Sequence, residues 1–289
     1  MVMKEMKQAD KKVSSTTSKT FQLTDKNYYS NDANWHYRSK SQYWEFLQCE
    51  ARALAELKGE YEPDRNELPL LFGNYLHSYF ESKDAHKQFL ENNKKSLYKY
   101  GNPEKGIKRD FLLADKCIDS LKDDDGFNAL YKGTKETIVK GEIDGVKWMG
   151  KIDCLDLKHG RFYDLKTVDD IHKKHWDEDL HQYVDFTKAR GYDAQMAIYK
   201  ELIKQTFDIN CDPYIIAVSK QNVPDKAVIA FDDNDLQEAL NDVRMRQDHI
   251  NAVINGEQEP RACGECEYCR MHKQLKQLKI ELSGHIELR

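Results

Sequence analysis

Gly150-Lys151-Ile152-Asp153, followed after a short interval by Asp164-Leu165-Lys166, is the stretch that decides the fold. Both segments alternate with a period of two. Val146, Trp148, Gly150 and Ile152 stand against Lys147, Met149, Lys151 and Asp153, and Phe162, Asp164 and Lys166 stand against Tyr163, Leu165 and Thr167. The pattern predicts two strands, with Asp164 and Lys166 on one face and Leu165 on the other. A bend through Lys158, His159 and Gly160 closes them into a hairpin and brings Asp153 close to Asp164. Two carboxylates and a lysine so placed can hold a divalent cation against a phosphodiester. Asp and Lys also populate ordinary solvated faces, so the hairpin alone does not choose between a site and a surface.

Working outward, Gly73-Asn74-Tyr75-Leu76-His77 falls in a helical pattern whose apolar surface includes Leu70, Leu71, Tyr79 and Phe80. Gly73 and His77 are one turn apart and share a face, and a small residue there lets another backbone approach closely. A histidine among apolar neighbours reads equally as a hydrogen-bonded core residue. Beyond the hairpin, Gln195 and Tyr199 are again four apart, on a helix carrying Met196, Ile198, Leu202 and Ile203.

The order of these motifs is specific: a GxxxH helix, then G-x-I-D, then D-L-K-T, then a QxxxY helix. In this order the sequence resembles the PD-(D/E)XK nuclease superfamily, and within it the RecB-like and exodeoxyribonuclease VIII-like branch, over roughly residues 28–275. It is similar in particular to phage and mobile-element proteins that share the opening Asn27-Tyr28-Tyr29-Ser30 and Tyr37-Arg38-Ser39-Lys40-Ser41-Gln42. The resemblance implies that His77, Asp153 and Asp164 are metal ligands, with the main-chain carbonyl of Leu165 as a further ligand. It makes Lys166 the catalytic lysine, with Gln195 and Tyr199 orienting the site and approaching DNA. Hard oxygen ligands suit Mg²⁺ or Mn²⁺, and the histidine tilts the set toward Mn²⁺. Glu136 or Glu142, on the strand before G-x-I-D, could add a carboxylate, and the sequence does not choose between them.

Seven cysteines give a second signal, because Cys263, Cys266 and Cys269 form a C-x₂-C-x₂-C run. Three thiolates converging in so short a loop point to zinc or an iron-sulfur centre. In cluster-bearing RecB-like nucleases a cysteine before the GxxxH helix joins such a trio around a four-iron, four-sulfur cluster. The resemblance therefore implies that Cys49 is the fourth ligand of a 4Fe-4S cluster. A local alternative is a Cys₃His zinc site completed by His272. Cys117, Cys154 and Cys211 read as isolated buried thiols.

The chain has 289 residues and a net charge of −5, so a large basic face that coats DNA is excluded. A local groove remains open, with Lys105, Lys108 and Arg109, or Lys173, Lys174 and His175, as contributors. Residues 1–25 read as a flexible, partly basic tail, and residues 26–289 as one RecB-like domain including the cysteine loop. No apolar run is long enough to cross a bilayer, and Met1 to Thr20 lacks a signal-peptide core, so a cytoplasmic protein is expected. Expected helices cover 41–57, 70–81, 85–98, 111–121, 185–207, 235–254 and 272–278, and expected strands 135–142, 147–155, 161–167, 213–219 and 227–231. They predict an α/β restriction-endonuclease-like core, a central mixed sheet flanked by helices, with N-terminal helices and a C-terminal Cys-rich loop. The function the resemblance implies is a metal-dependent exonuclease resecting linear duplex DNA ends for phage-type recombination. Its partners would be DNA, a single-strand annealing protein or helicase, and further copies of itself. Two alternatives stand beside it: a single-strand or flap nuclease similar to CRISPR-adaptation or AddB-type enzymes, and a non-catalytic DNA-end-binding module.

Overall fold

The computed structural model describes residues 21–178 and 180–274. In chain order the helices are α1 (Asn31–His36), α2 (Lys40–Gln48), α3 (Glu50–Lys58), α4 (Leu68–Glu81), α5 (Lys83–Asn92), α6 (Lys94–Leu97), α7 (Arg109–Lys122) and α8 (Asp125–Leu130). Then come β1 (Thr134–Ile143), β2 (Val146–Asp156), β3 (Arg161–Val168), β4 (His175–Asp177) and β5 (Gln182–Val184). The chain continues through α9 (Phe186–Ala189), α10 (Tyr192–Phe207), β6 (Asp212–Ser219), β7 (Lys226–Ala230), α11 (Asp233–Ile254) and α12 (Glu267–Met271).

Five strands form one sheet in the order β1-β2-β3-β6-β7. Only the β3–β6 pair is parallel. Parallel strands need a crossover, which α10 supplies. The two-to-one alternation separates the faces as the sequence predicts. Phe162 and Ile215 face the core built with Met196, Ile198 and Leu202 of α10, whereas Tyr163, Leu165 and Ile216 face Phe72 and Leu76 of α4 and Phe111 and Ile118 of α7. Burying each such side chain contributes about 1.5–3 kcal/mol, so two apolar layers clamp the central strands. The sheet is mixed and covered by helices on both faces, the expected α/β architecture.

The β1–β2 turn consists of Asp144 and Gly145 at φ 48° and 80°. Positive φ at both central residues is the I′ geometry that continues the right-handed strand twist. From this turn the ladder runs from Ile143↔Val146 to Thr134↔Leu155, with Glu136 and Asp153 the skipped pair. Glu136 itself has φ 52°, a conformation costly for a residue with a Cβ.

Several expected elements are divided. The helix expected over 41–57 breaks at Cys49, whose φ of −166° and ψ of 105° separate α2 from α3. The one expected over 185–207 breaks at Gly191, which has φ 59° and would place a Cβ 2.3 Å from the Trp44 ring. The helix expected over 85–98 divides at Asn93 into α5 and α6. The β4–β5 hairpin was not expected. Residues 1–20 of the expected tail lie outside the described residues, as do 275–278 of the expected last helix. The tail's end is packed instead: the Phe21 ring stacks on His36 at 4.5 Å and Leu23 is buried. No helix among the described residues is long and apolar enough to cross a membrane.

Candidate active site

Asp153 lies where β2 loses its regular pairing with both neighbours. The β2–β3 ladder ends at Cys154↔Tyr163, and beyond it the Asp153 carboxylate reaches across, Oδ2 accepting the Leu165 N–H at 2.7 Å. The expected hairpin and the approach of Asp153 to this segment of β3 are both present. From α4, His77 Nδ1 comes within 3.3 Å of the same Oδ2. The carboxylate of Glu136 completes a group in which the ligand atoms of His77, Glu136 and Asp153 all lie within 4.8 Å of one another. The left-handed backbone at Glu136 is thus found at the skipped pair, beside the site. Glu142, the alternative, is exposed and outside this group, and its backbone pairs with Gln205, which accepts from its N–H and donates to its carbonyl. Lys151 holds Glu136 from the outside at 3.3 Å.

Asp164 stands beside this group, on the α10 face of β3, and is 3 % exposed. Its Oδ1 accepts from Gln195 Nε2 at 2.7 Å. Its Oδ2 pairs with Lys166 Nζ at 2.5 Å. Lys166 also sits 4.8 Å from the centre of the Tyr192 ring. Burial would lower the Lys166 ammonium, but Asp164, Tyr192 and Asp153 together outweigh it and hold the group above the usual lysine range. Burial, then Asp164, pushes the Asp153 carboxyl up to about 8. Burial and Asp153 raise Glu136, while burial and Lys166 lower His77. A neutral imidazole beside carboxyls that resist ionisation is a donor set completed by a cation.

Tyr199 packs over β2, and a Cβ at Gly150 would lie 2.7 Å from its ring. The glycine of G-x-I-D and the tyrosine of QxxxY are therefore one contact seen from two sides. Gly73 differs from expectation: a Cβ there would meet only Thr167 Oγ1, at 4.0 Å, so no backbone presses on it. It lines a cavity of about 380 Å³ with Asn74, His77, Lys166, Lys173, Arg190 and Lys220.

The chain matches the family described as PDDEXK-like domain of unknown function (DUF3799) over residues 39–272. It belongs to the PDDEXK-like family DUF3799. A solved structure of a provisionally described exonuclease from Eubacterium rectale is 34% identical, with a TM-score of 0.81, covering 91% of this chain and 97% of that one. A second structure, SSO0001, is 16% identical with a TM-score of 0.28, covering 80% of this chain and 94% of that one, too low to carry an argument. No curated protein matches the chain.

The DUF3799 core thus brings together His77, Asp153, Asp164, Leu165, Lys166, Gln195 and Tyr199. Leu165 contributes its N–H to Asp153, and its main chain also reaches His77. Sequence reading missed Tyr192 and Lys151. Tyr192 precedes Gln195 and Tyr199 at steps of three and four, one helical face, and that spacing could have found it. Of the basic candidates, Lys173 and His175 line the cavity. Lys105, Lys108 and Arg109 do not, and Lys108 Nζ bonds the Lys95 carbonyl at 3.1 Å.

A second group of side chains in this chain lies toward its C-terminal side. The sulfurs of Cys49, Cys263, Cys266 and Cys269 all lie within 4.8 Å of one another. His272 stays outside that group, its Nδ1 2.7 Å from the Tyr268 carbonyl. The local Cys₃His alternative therefore does not assemble. Cys117, Cys154 and Cys211 are separately buried, as expected.

Proposed function

We propose that this chain is a divalent-metal-dependent deoxyribonuclease that digests linear duplex DNA from its ends. The observation that carries the reading is the His77, Glu136 and Asp153 group set beside the Asp164–Lys166 pair. Its mixed nitrogen and oxygen donors fit Mg²⁺ or Mn²⁺. Such an ion supplies Lewis-acid polarisation of a phosphoryl oxygen and an acidified water. The chain's own residues do the rest. Lys166, fixed between Asp164 and Tyr192, neutralises charge that develops on the phosphate. Gln195 holds Asp164 in position, and Tyr199, seated on Gly150, fixes the helix that carries Gln195. Lys173, Arg190 and Lys220 give the cavity cations that can face the DNA backbone. Digestion from ends is supported by the likeness to the Eubacterium rectale protein, and a role in phage-type recombination by the exodeoxyribonuclease VIII-like motifs. We also propose that residues 26–289 act as one domain.

The test is end-labelled linear duplex, single-stranded and covalently closed circular DNA, each incubated with Mg²⁺, Mn²⁺ or EDTA. Metal-dependent loss of linear duplex, with circles intact and Asp164→Ala inactive, is the expected result. Cleaved circles would replace the exonuclease reading with an endonuclease one. Equal digestion by folded Asp164→Ala protein would remove the assignment of the site.

A further inference from the structure

The RecB-like resemblance implies a four-iron, four-sulfur cluster on the four cysteines, and the sulfur spacing does not fit one. Cys49 Sγ lies 3.6 Å from Cys269 Sγ and 3.8 Å from Cys266 Sγ, and Cys263 Sγ lies 3.8 Å from Cys269 Sγ. All the remaining pairs fall within 4.8 Å. A tetrahedral ion with Zn–S bonds of about 2.3 Å sets its ligand sulfurs about 3.8 Å apart, the edge of the tetrahedron. Thiolates of a cubane are bound to different irons at its corners and must stand farther apart than ligands sharing one ion. We infer that Cys49, Cys263, Cys266 and Cys269 form a single-ion Cys₄ zinc site.

The surrounding chain is built for that geometry. Gly264 takes φ 78°, which turns the chain so that the Glu265 and Cys266 N–H groups both point at Cys263 Sγ, at 3.5 and 3.3 Å. Two backbone donors on one sulfur stabilise it as a thiolate, the form a metal requires. On the far side the Glu50 carboxylate, next to Cys49, accepts from the Arg261 N–H at 2.8 Å and pairs with His249 Nε2 at 2.9 Å. The Ala51 N–H donates to the Arg261 carbonyl at 3.1 Å. These bonds hold the two cysteine segments beside one another. The break between α2 and α3 follows from the same arrangement: a continuous helix would not present Cys49 in extended backbone to the Cys266 and Cys269 sulfurs, 217 and 220 residues away. The ion therefore fastens the N-terminal helices to the last described segment.

The site is independent of the catalytic reading, and its test needs no substrate. Full-length protein purified without oxygen should be colourless, contain about one zinc per chain and release no acid-labile sulfide. Exchange with Co²⁺ should produce the visible bands of tetrahedral sulfur coordination. Cys49→Ser should lose the zinc, whereas His272→Ala should keep it. Iron with stoichiometric sulfide, protein free of metal, or zinc that survives Cys49→Ser but not His272→Ala would each overturn the inference. Should Cys49→Ser be insoluble, metal analysis of the wild type and His272→Ala with the cobalt spectrum still decides it.

Discussion

Replacing Asp153 by Asn should stabilise the metal-free protein at alkaline pH and make it indifferent to divalent cations. In the fold, burial and then the adjacent Asp164 move this carboxyl from 3.8 to about 8. A group with a raised native pKa binds its proton more tightly folded than unfolded. The stability it contributes is complete below about 3.8 and is lost as pH rises through about 8. By pH 8 the loss corresponds to nearly four pH units, a ceiling of about 5 kcal/mol. Side-chain relaxation and water entry reduce such penalties, so a difference of about 2 kcal/mol is expected, or about 3 °C in Tm for a chain of this size. Asn keeps an oxygen for the Leu165 N–H but carries no charge. Thermal unfolding in EDTA should therefore show the variant close to wild type at about pH 5 and above it at about pH 8. Titration with Mn²⁺ at the higher pH should raise the wild type and leave the variant unmoved. A variant less stable than wild type at both pH values, or equally stabilised by Mn²⁺, would refute the idea that repulsion at Asp153 is relieved by a cation.

Three further outcomes follow from contacts already described. Lys166→Ala should lower turnover by about 10²–10³-fold while metal affinity, followed by calorimetry, stays near wild type. Glu136→Gln should weaken Mn²⁺ binding by at least about 10-fold, whereas Glu142→Gln should leave it unchanged, because Gln205 engages the Glu142 backbone rather than its carboxylate. Gly150→Ala should cost about 1–3 kcal/mol in denaturant unfolding, since the new methyl would stand 2.7 Å from the Tyr199 ring.

The strands that carry Asp153 and Asp164 were legible because their alternation is strict and both cores reward it: Leu165 and Phe162 are fully buried on opposite faces. What the sequence hid was local backbone geometry. The apolar spacing that marks a helix continues from Phe46 through Ala53 and Leu54, so nothing in the periodicity signals that Cys49 leaves it. Its departure is driven by partners far along the chain. The same holds at Gly191, where the Trp44 ring occupies the space a side chain would need. Glu136 could not be separated from Glu142 on the strand pattern alone, because the choice rests on one positive φ and one skipped pair. The β4–β5 hairpin is only three residues on each side, too short for its alternation to stand out.

The Asp144–Gly145 turn acts as a ruler for chemistry at the other end of its strands. Its two residues set which position of β1 faces which position of β2, and Glu136 meets Asp153 only at that count. One inserted residue would slide the strands by a step and, with a side-chain period of two, exchange the faces of β1. Glu136 would then move off the His77 and Asp153 group although no residue near it had changed. Within this fold, the length of a solvent-exposed turn is as much a part of the proposed metal site as the carboxylates themselves.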